Sequence, residues 1–549
     1  MFRPKSDAVK TGYDSIRVVS RNGTSFGPEN NQLVFDLTRN IGVADLSNSY
    51  LECDATIVLG ADSAKHAFNK NCSILSAIRT QSIRSEGRLI EQIDHQNVYA
   101  NLHYLASQDE GVNVQRQRTQ MCMPDYQQVN NPWCCRNASV AASGVSTAVA
   151  PVLTQKVAMP LLGGLFTTSL GFPLLGAPLE IELILDKASH CLHIVDGMGD
   201  VACEDVAGST TLGIAVNSFV VSDSEAYGDE TQGDQKNMCA NAPWRVGQRV
   251  EISGDIDSVA QAPVETTIQS IGITAGGKLE ITTVNPLGTI PANNPEKSAT
   301  NLVISAHKNG KALGTEVSYK LENPRIVISK IIPSVEQTQS NARMMAKGEY
   351  TYNITSVTNL LNAIDANVTN STNIISTDAT RAKSILSVPV LMDGVDSTLN
   401  DQALSGRIAG ATEYQYSISN ILRPDRRVNV ERESHGSFAD PTSPYPKPTY
   451  ALGGRPAGLH LYEVEKGLSA ANIPVRNLSF LTNSVPDGRG SWLVSRSVGP
   501  YGLSENLDGV PVMLYLNYSA PHAANILLHN FIVHVRTINI GLSGVQVFI

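Results

Sequence analysis

The residues with the strongest claim to chemistry sit together near position 180. Glu180-Ile-Glu182 sets two carboxylates two residues apart, within LEIELILD. Residues two apart on a strand share a face, and a retaining glycosidase needs its two carboxyls about 5–5.5 Å apart. One such pattern, E-x-D-x-x-E, puts a third carboxylate at the sixth position. Here that position is Leu185, and Asp186 falls one residue late. The pair is therefore expected to face solvent or a neighbouring subunit, and no residue is assigned as catalytic. The best metal-like cluster is His190-Cys191-Leu-His193 with Cys203. It lacks the paired spacing of a zinc site, so no metal ligand and no cofactor is assigned. His529 and His534 lie in an apolar strand, where packing is the expected role. Walker, dinucleotide, HExxH and GxSxG signatures are absent. Aromatic and basic residues are not interleaved as in a single-strand binder.

The glutamate pair closes a long uncharged run. From Val157 to Leu179 there is no charged residue, a length that would suit a membrane span. Pro160, Pro173 and Pro178, with Gly163, Gly164, Gly171 and Gly176, interrupt any continuous helix. No transmembrane segment is expected. Leu179, Ile181, Leu183 and Leu185 then alternate with Glu180 and Glu182, the period of a half-buried strand.

At 549 residues the chain exceeds the size at which one core stops growing, so two or more domains are expected. Hydrophobic residues make up 42% and charged residues only 17%, against an average of about 25%. So little charge on a large chain suits a subunit covered by other protein. A net charge of −9 argues against a general or sequence-specific nucleic-acid surface, although Arg423, Arg426, Arg427 and Arg432 form a local basic group. The 8 cysteines show no CxxC pair, and the second half has none, which suggests reduced, buried thiols. MFRPKSDAVK lacks the apolar core of a signal peptide, so sequons such as Asn137-Ala-Ser, Asn367-Val-Thr and Asn517-Tyr-Ser are expected to be unused.

In chain order, residues 1–30 read as a polar arm. Strands are expected at 31–39 and 49–59, a helix at 89–106 (LIEQIDHQNVYANLHYLA), and a long polar loop at 107–150. Residues 199–314 are richer in Gly, Asp and Thr. TTIQSIGIT and KLEITTV flank a Gly-Gly turn there, a hairpin signal. This stretch reads as a small β-module inserted into the first domain, which covers 31–334 and resumes at VSYKLENPRIVISKIIP. VEQTQSNARMMAKGE (335–349) reads as a linker helix stopped by Gly348. Strands then restart over 350–549, with a Pro-rich loop at 440–456 and a broken helix or loop at 461–474. Many strands with few helices mean an all-β plan of two antiparallel sandwiches.

Several segments together resemble double-jelly-roll major capsid proteins of polinton-like viruses and virophages. LIEQIDHQNVYANLHYL resembles that family's L-x-E-x-I-x-x-Y-N-x-L segment, with His95 and Gln96 near where an aromatic is preferred. LFTTSLGFPLLGAPLEIELIL resembles its "PL…L-x-I-E-L" strand. YQYSISNILRPDRRVNV and LLHNFIVHVRTINI resemble strands of its second jelly roll. The resemblance implies two antiparallel eight-stranded jelly rolls in tandem, the module and short helices being additions. It implies a homotrimeric, pseudo-hexagonal capsomer tiling an icosahedral shell around double-stranded DNA. The partners it implies are further copies of the chain, then penton and minor capsid proteins. The place it implies is the virion, assembled inside a host cell.

Two rival readings belong to other classes. A carbohydrate-binding or carbohydrate-cleaving sandwich would need an aromatic platform or a carboxylate pair, and Trp133, Trp244 and Trp492 are far apart in sequence. A viral penton or attachment protein usually resembles a single jelly roll, whereas the strand pattern here runs twice.

Overall fold

The computed structural model describes residues 10–69, 72–107, 145–146, 154–167, 171–194, 201–207, 214–222, 242, 244–291, 298–308, 311–313, 317–392, 411–430, 458–476, 493–499, 503–518, 521, 525–541 and 544–548. The first half opens with strands β1 (Lys10–Val19), β2 (Gln32–Leu37), β3 (Val43–Leu59), β4 (Ile78–Ser85), β5 (Arg88–Asp94), β6 (Gln155–Pro160) and β7 (Leu179–Leu185). Next come β8 (Ser218–Val220), β9 (Arg249–Ile256), β10 (Val264–Ile273), β11 (Leu279–Thr283) and β12 (Ser298–Ser305), and then the long β13 (Val317–Pro333). One sheet runs β1–β13–β3–β6, with Phe172–Pro173 also paired to β3; the facing sheet runs β2–β7–β4–β5. All these pairings are antiparallel. This is the eight-strand order of a jelly roll. The alternation of β7 holds: Leu179, Ile181, Leu183 and Leu185 are buried, and Glu180 and Glu182 lie on the other face.

The second half repeats the order with β14 (Tyr350–Ile364), β15 (Asn370–Ile375), β16 (Ala382–Leu391), β17 (Ala411–Ile418), β18 (Ile421–Asn429), β19 (Val494–Ser497), β20 (Val512–Tyr518) and β21 (Ile526–Gly541). Its sheets run β14–β21–β16–β19 and β15–β20–β17–β18, strand for strand the arrangement of the first roll. Gly544–Phe548 adds to β21. The chain is thus an all-β double jelly roll. Helices α1 (Gln96–Ala106), α2 (Gly164–Thr167), α3 (Val335–Lys347) and α4 (Gly458–Ala470) accompany the strands. Both α1 and α4 lie between the fifth and sixth strand of their roll. Ser334 caps α3 by accepting from Gln337 N at 3.2 Å, and Gly348 ends it at φ 69°, a conformation that favours glycine.

Two expectations need correction. Lys10–Val19, expected within a loose arm, is the sheet-edge strand β1, paired with β13 from Lys10↔Pro333 to Val19↔Arg325. The helix expected over 89–106 starts only at Gln96; Arg88–Asp94 is a strand paired with β4. No Gly or Pro marks that break because His95 itself takes the left-handed conformation at φ 53°. Of the two alternatives for 461–474, a broken helix or a loop, the helix fits most of the segment: it belongs to α4, which ends at Ala470. The Pro-rich loop, Arg432, Trp133, Trp492 and residues 108–144 lie outside the described residues.

Strands β8 to β12 form a sheet of their own in the order β12–β9–β10–β11–β8, and β10 and β11 are the expected hairpin, with Gly277 at φ 82° in its turn. Their side chains, with Trp244, Phe219, Ile252, Ile271, Ile281 and Ile304 among them, pack in a core separate from those of the rolls. Polar ties hold this sheet to the 60–65 segment. Arg245 donates to Ser63 O at 3.0 Å and Ala61 O at 2.9 Å, Lys65 donates to Ala242 O, and Arg249 pairs with Asp62 at 2.8 Å. We propose that 199–314 is an independent unit and that 335–349 divides the rolls. Replacing 199–314 with a short linker is expected to leave a chain that still unfolds cooperatively, as followed by circular dichroism. Loss of the cooperative transition would make the module part of the main core.

Candidate functional site

Both glutamates of the surface pair have partners. On the outer face of β2–β7–β4–β5, Arg21 Nη1 reaches Glu180 Oε2 at 3.1 Å and Asp36 Oδ1 at 3.0 Å. Arg84 Nη1 reaches Glu182 Oε2 at 3.2 Å, and Gln32 donates to the same carboxylate. Guanidiniums from neighbouring segments thus engage both carboxylates, as in a cross-strand charge ladder. Asp186 has left the row and is buried. It accepts from Asn97 Nδ2 at 2.8 Å and Lys187 N at 2.9 Å, and lies 2.8 Å from His190 Nδ1. Burial alone would raise its pKa, but the His190 contact holds it below the usual carboxylate value. Asp186 therefore ties α1 to the turn after β7, a packing role.

The metal-like cluster does not converge. His190 is engaged with Asp186, His193 sits in a short strand paired with His66–Phe68, and Cys203 belongs to the module's core. Among the described residues no group of three or more His, Cys, Asp or Glu is placed to hold a metal ion. Cys53, Cys191 and Cys203 are buried free thiols, and Cys72 is buried as well. In the basic group, Arg423 pairs with Glu505 at 2.7 Å and Arg427 with Glu413 at 3.3 Å.

A dense buried polar arrangement lies where the two rolls meet, and nothing in the sequence pattern marks it as a unit. Glu91 of β5 is fully buried. Gly164 N, at the start of α2, donates to its Oε1 at 2.8 Å and Oε2 at 2.9 Å. From the second roll, Arg536 of β21 donates from Nη1 to Ile90 O at 2.9 Å and from Nε to His534 Nε2 at 3.0 Å. Burial raises the pKa of Glu91; Gly164 N–H, Ser356 and Arg536 act against it. Glycine is required at 164, because a Cβ there would lie 2.7 Å from Thr355 O of β14. At Gly163, φ is 128° and a Cβ would meet Gln81 Nε2 at 2.8 Å. Gly164, seen in the sequence as a helix breaker, lets the first roll approach the backbone of the second, and Gly163 makes room for Gln81 and Glu91 within the first. The available signal is Arg536, a lone charge within a long apolar strand.

Rings complete the seam. Tyr99 of α1 packs on Phe531 at 5.5 Å, and His95 meets His529 edge-on at 4.8 Å. The arrangement binds roll to roll, and its one carboxylate is enclosed by its partners. Gly164→Ala is expected to cost about 1–3 kcal/mol, the usual penalty for overpacking. Glu180→Gln with Glu182→Gln is expected to cost about 1 kcal/mol or less for each pair, as for ion pairs at a surface, and to leave glycan hydrolysis at background. Urea unfolding and a polysaccharide screen check both; turnover abolished by Glu180→Gln would restore the glycosidase reading.

No protein-family profile matches the sequence, and no curated protein sequence matches it. Among solved structures, a chain of the Sputnik virophage aligns at TM-score 0.48 and 9% identity, covering 100% of this chain and 92% of that one. The Faustovirus major capsid protein aligns at TM-score 0.43 and 8% identity over 98% and 92%. The mavirus major capsid protein aligns at 0.36 and 10% over 100% and 92%.

Proposed function

We propose that the chain is a major capsid protein, a structural subunit of an icosahedral viral shell. The observation that carries this is the repeated eight-strand order on both sides of one continuous core. That core takes in Leu33, Ile181 and Ile328 from the first roll and Val357, Leu386 and Phe531 from the second. A rigid pair of like lobes has a geometric use. Three such chains around an axis present six lobes, a near-hexagonal tile from one gene product. Low charge fits surfaces that meet further copies, as do exposed apolar side chains on the second roll such as Leu361, Ile374, Ile421 and Leu422. The reading places the chain in the virion, assembled in the host cell, with penton and minor capsid proteins as partners, and without enzymatic activity, cofactor or sequence-specific DNA contact. The carbohydrate alternative gains nothing from Trp244, which is buried.

Purified protein is expected to sediment as a trimer at micromolar concentration and to show hexagonal particles by electron microscopy. Obligate interfaces bury about 2,000 Å² or more and persist under such dilution. Monomers alone in mild buffer would overturn the reading.

A further inference from the structure

The seam between the rolls contains histidines that the fold holds without a second proton. Arg536 has only donors, so its Nε contact makes His534 Nε2 an acceptor. The ring proton then sits on Nδ1 and goes to Ile532 O at 3.2 Å. A second proton would have to occupy the site at which Arg536 points. Arg536 is also the residue that crosses the seam to Ile90 O. His529 lies in the same strand, five residues earlier, between His95 of the first roll and a stacked Phe531 at 6.0 Å, with Asn359 Nδ2 at 3.1 Å.

We propose that this seam is an acid-operated release, in which protonating His534 and His529 displaces Arg536 from the first roll and loosens one jelly roll from the other. The groups facing these histidines set the direction. His534 faces Arg536 and Asp378; His529 faces His95; Arg536 faces Glu91 and Asp378; His95 faces Arg79, Asp94, Asp186 and His190. Burial and Arg79 hold His95 below its usual value against the pull of Asp186 and Asp94, so its proton also arrives only in acid and then sets a cation beside the buried His529. Burial, with His95 adding to it, pushes His529 down to about 3, and burial with Arg536 pushes His534 down to about 4. The unfolded chain takes up these protons near 6.5, so stability is full above that pH and is lost as pH falls toward 4 and then 3. The device belongs to the single chain, so it stands or falls apart from any shell.

Thermal melts between pH 8 and pH 4 test it in the full chain, compared with His534→Gln plus His529→Phe. Glutamine keeps an acceptor for Arg536 and phenylalanine keeps a ring, but neither takes up a proton. The wild-type Tm is expected to fall below pH 6.5, and the double variant to lose much of that fall. An equal acid dependence in both overturns the proposal. Should the double variant not fold, small-angle scattering of the wild type decides. A radius of gyration that grows in acid while the strand circular dichroism persists supports release. A radius that stays constant, or grows only together with loss of strand signal, refutes it.

Discussion

The packing of the second roll's sheet against the first roll constrains everything else. Strand β21 is buried along nearly its whole length, because both of its faces are covered. Ile526, Leu528 and Ile532 point into the second roll's own core, whereas Phe531 and Val533 join the core that reaches into the first roll. A strand buried on both sides reads as a nearly continuous apolar run, and ILLHNFIVHV is one, interrupted by His529, Asn530 and His534. Burial on this scale comes from apolar surface removed from water, the dominant favourable term in folding.

A seam built that way must dispose of its backbone and its few polar groups. The close approach at Gly164 leaves an amide that only an acceptor can satisfy, and Glu91 supplies it. The buried carboxylate in turn wants a cation, which Arg536 provides from the other roll. Removing one partner of such a set strands a buried charge, which costs far more than the pair contributes. The polar set therefore fixes how the rolls align, while the apolar contacts hold them together.

The alternating period makes much of the fold legible. β7, the β10–β11 hairpin, α3 with its Ser334 and Gly348 caps, and the terminal strands all carry strong local signals. Legibility fails where the local signal is replaced by a tertiary one. His95 does the work of a glycine between β5 and α1, so the boundary has no visible mark. β1 is polar and reads as loose chain, yet the long apolar edge of β13 recruits it. Glu91 looks like one more helix-surface glutamate, because its partners Gly164 and Arg536 are far away in sequence. The glutamates of β7 are recognisable as a surface pair, since their spacing fixes the face whatever the partners are.

The two rolls differ most in the length of one connection. Between β7 and β13 the chain leaves for residues 186–316, while the equivalent step from β20 to β21 takes only 519–525. Two lobes of the same topology are thereby made distinguishable by what this connection carries. In a ring of such chains, a tag grafted onto the β10–β11 turn would mark every second lobe. An outline with near-sixfold symmetry would then give a threefold signal in an averaged image, and the orientation of each tile in a lattice could be read directly.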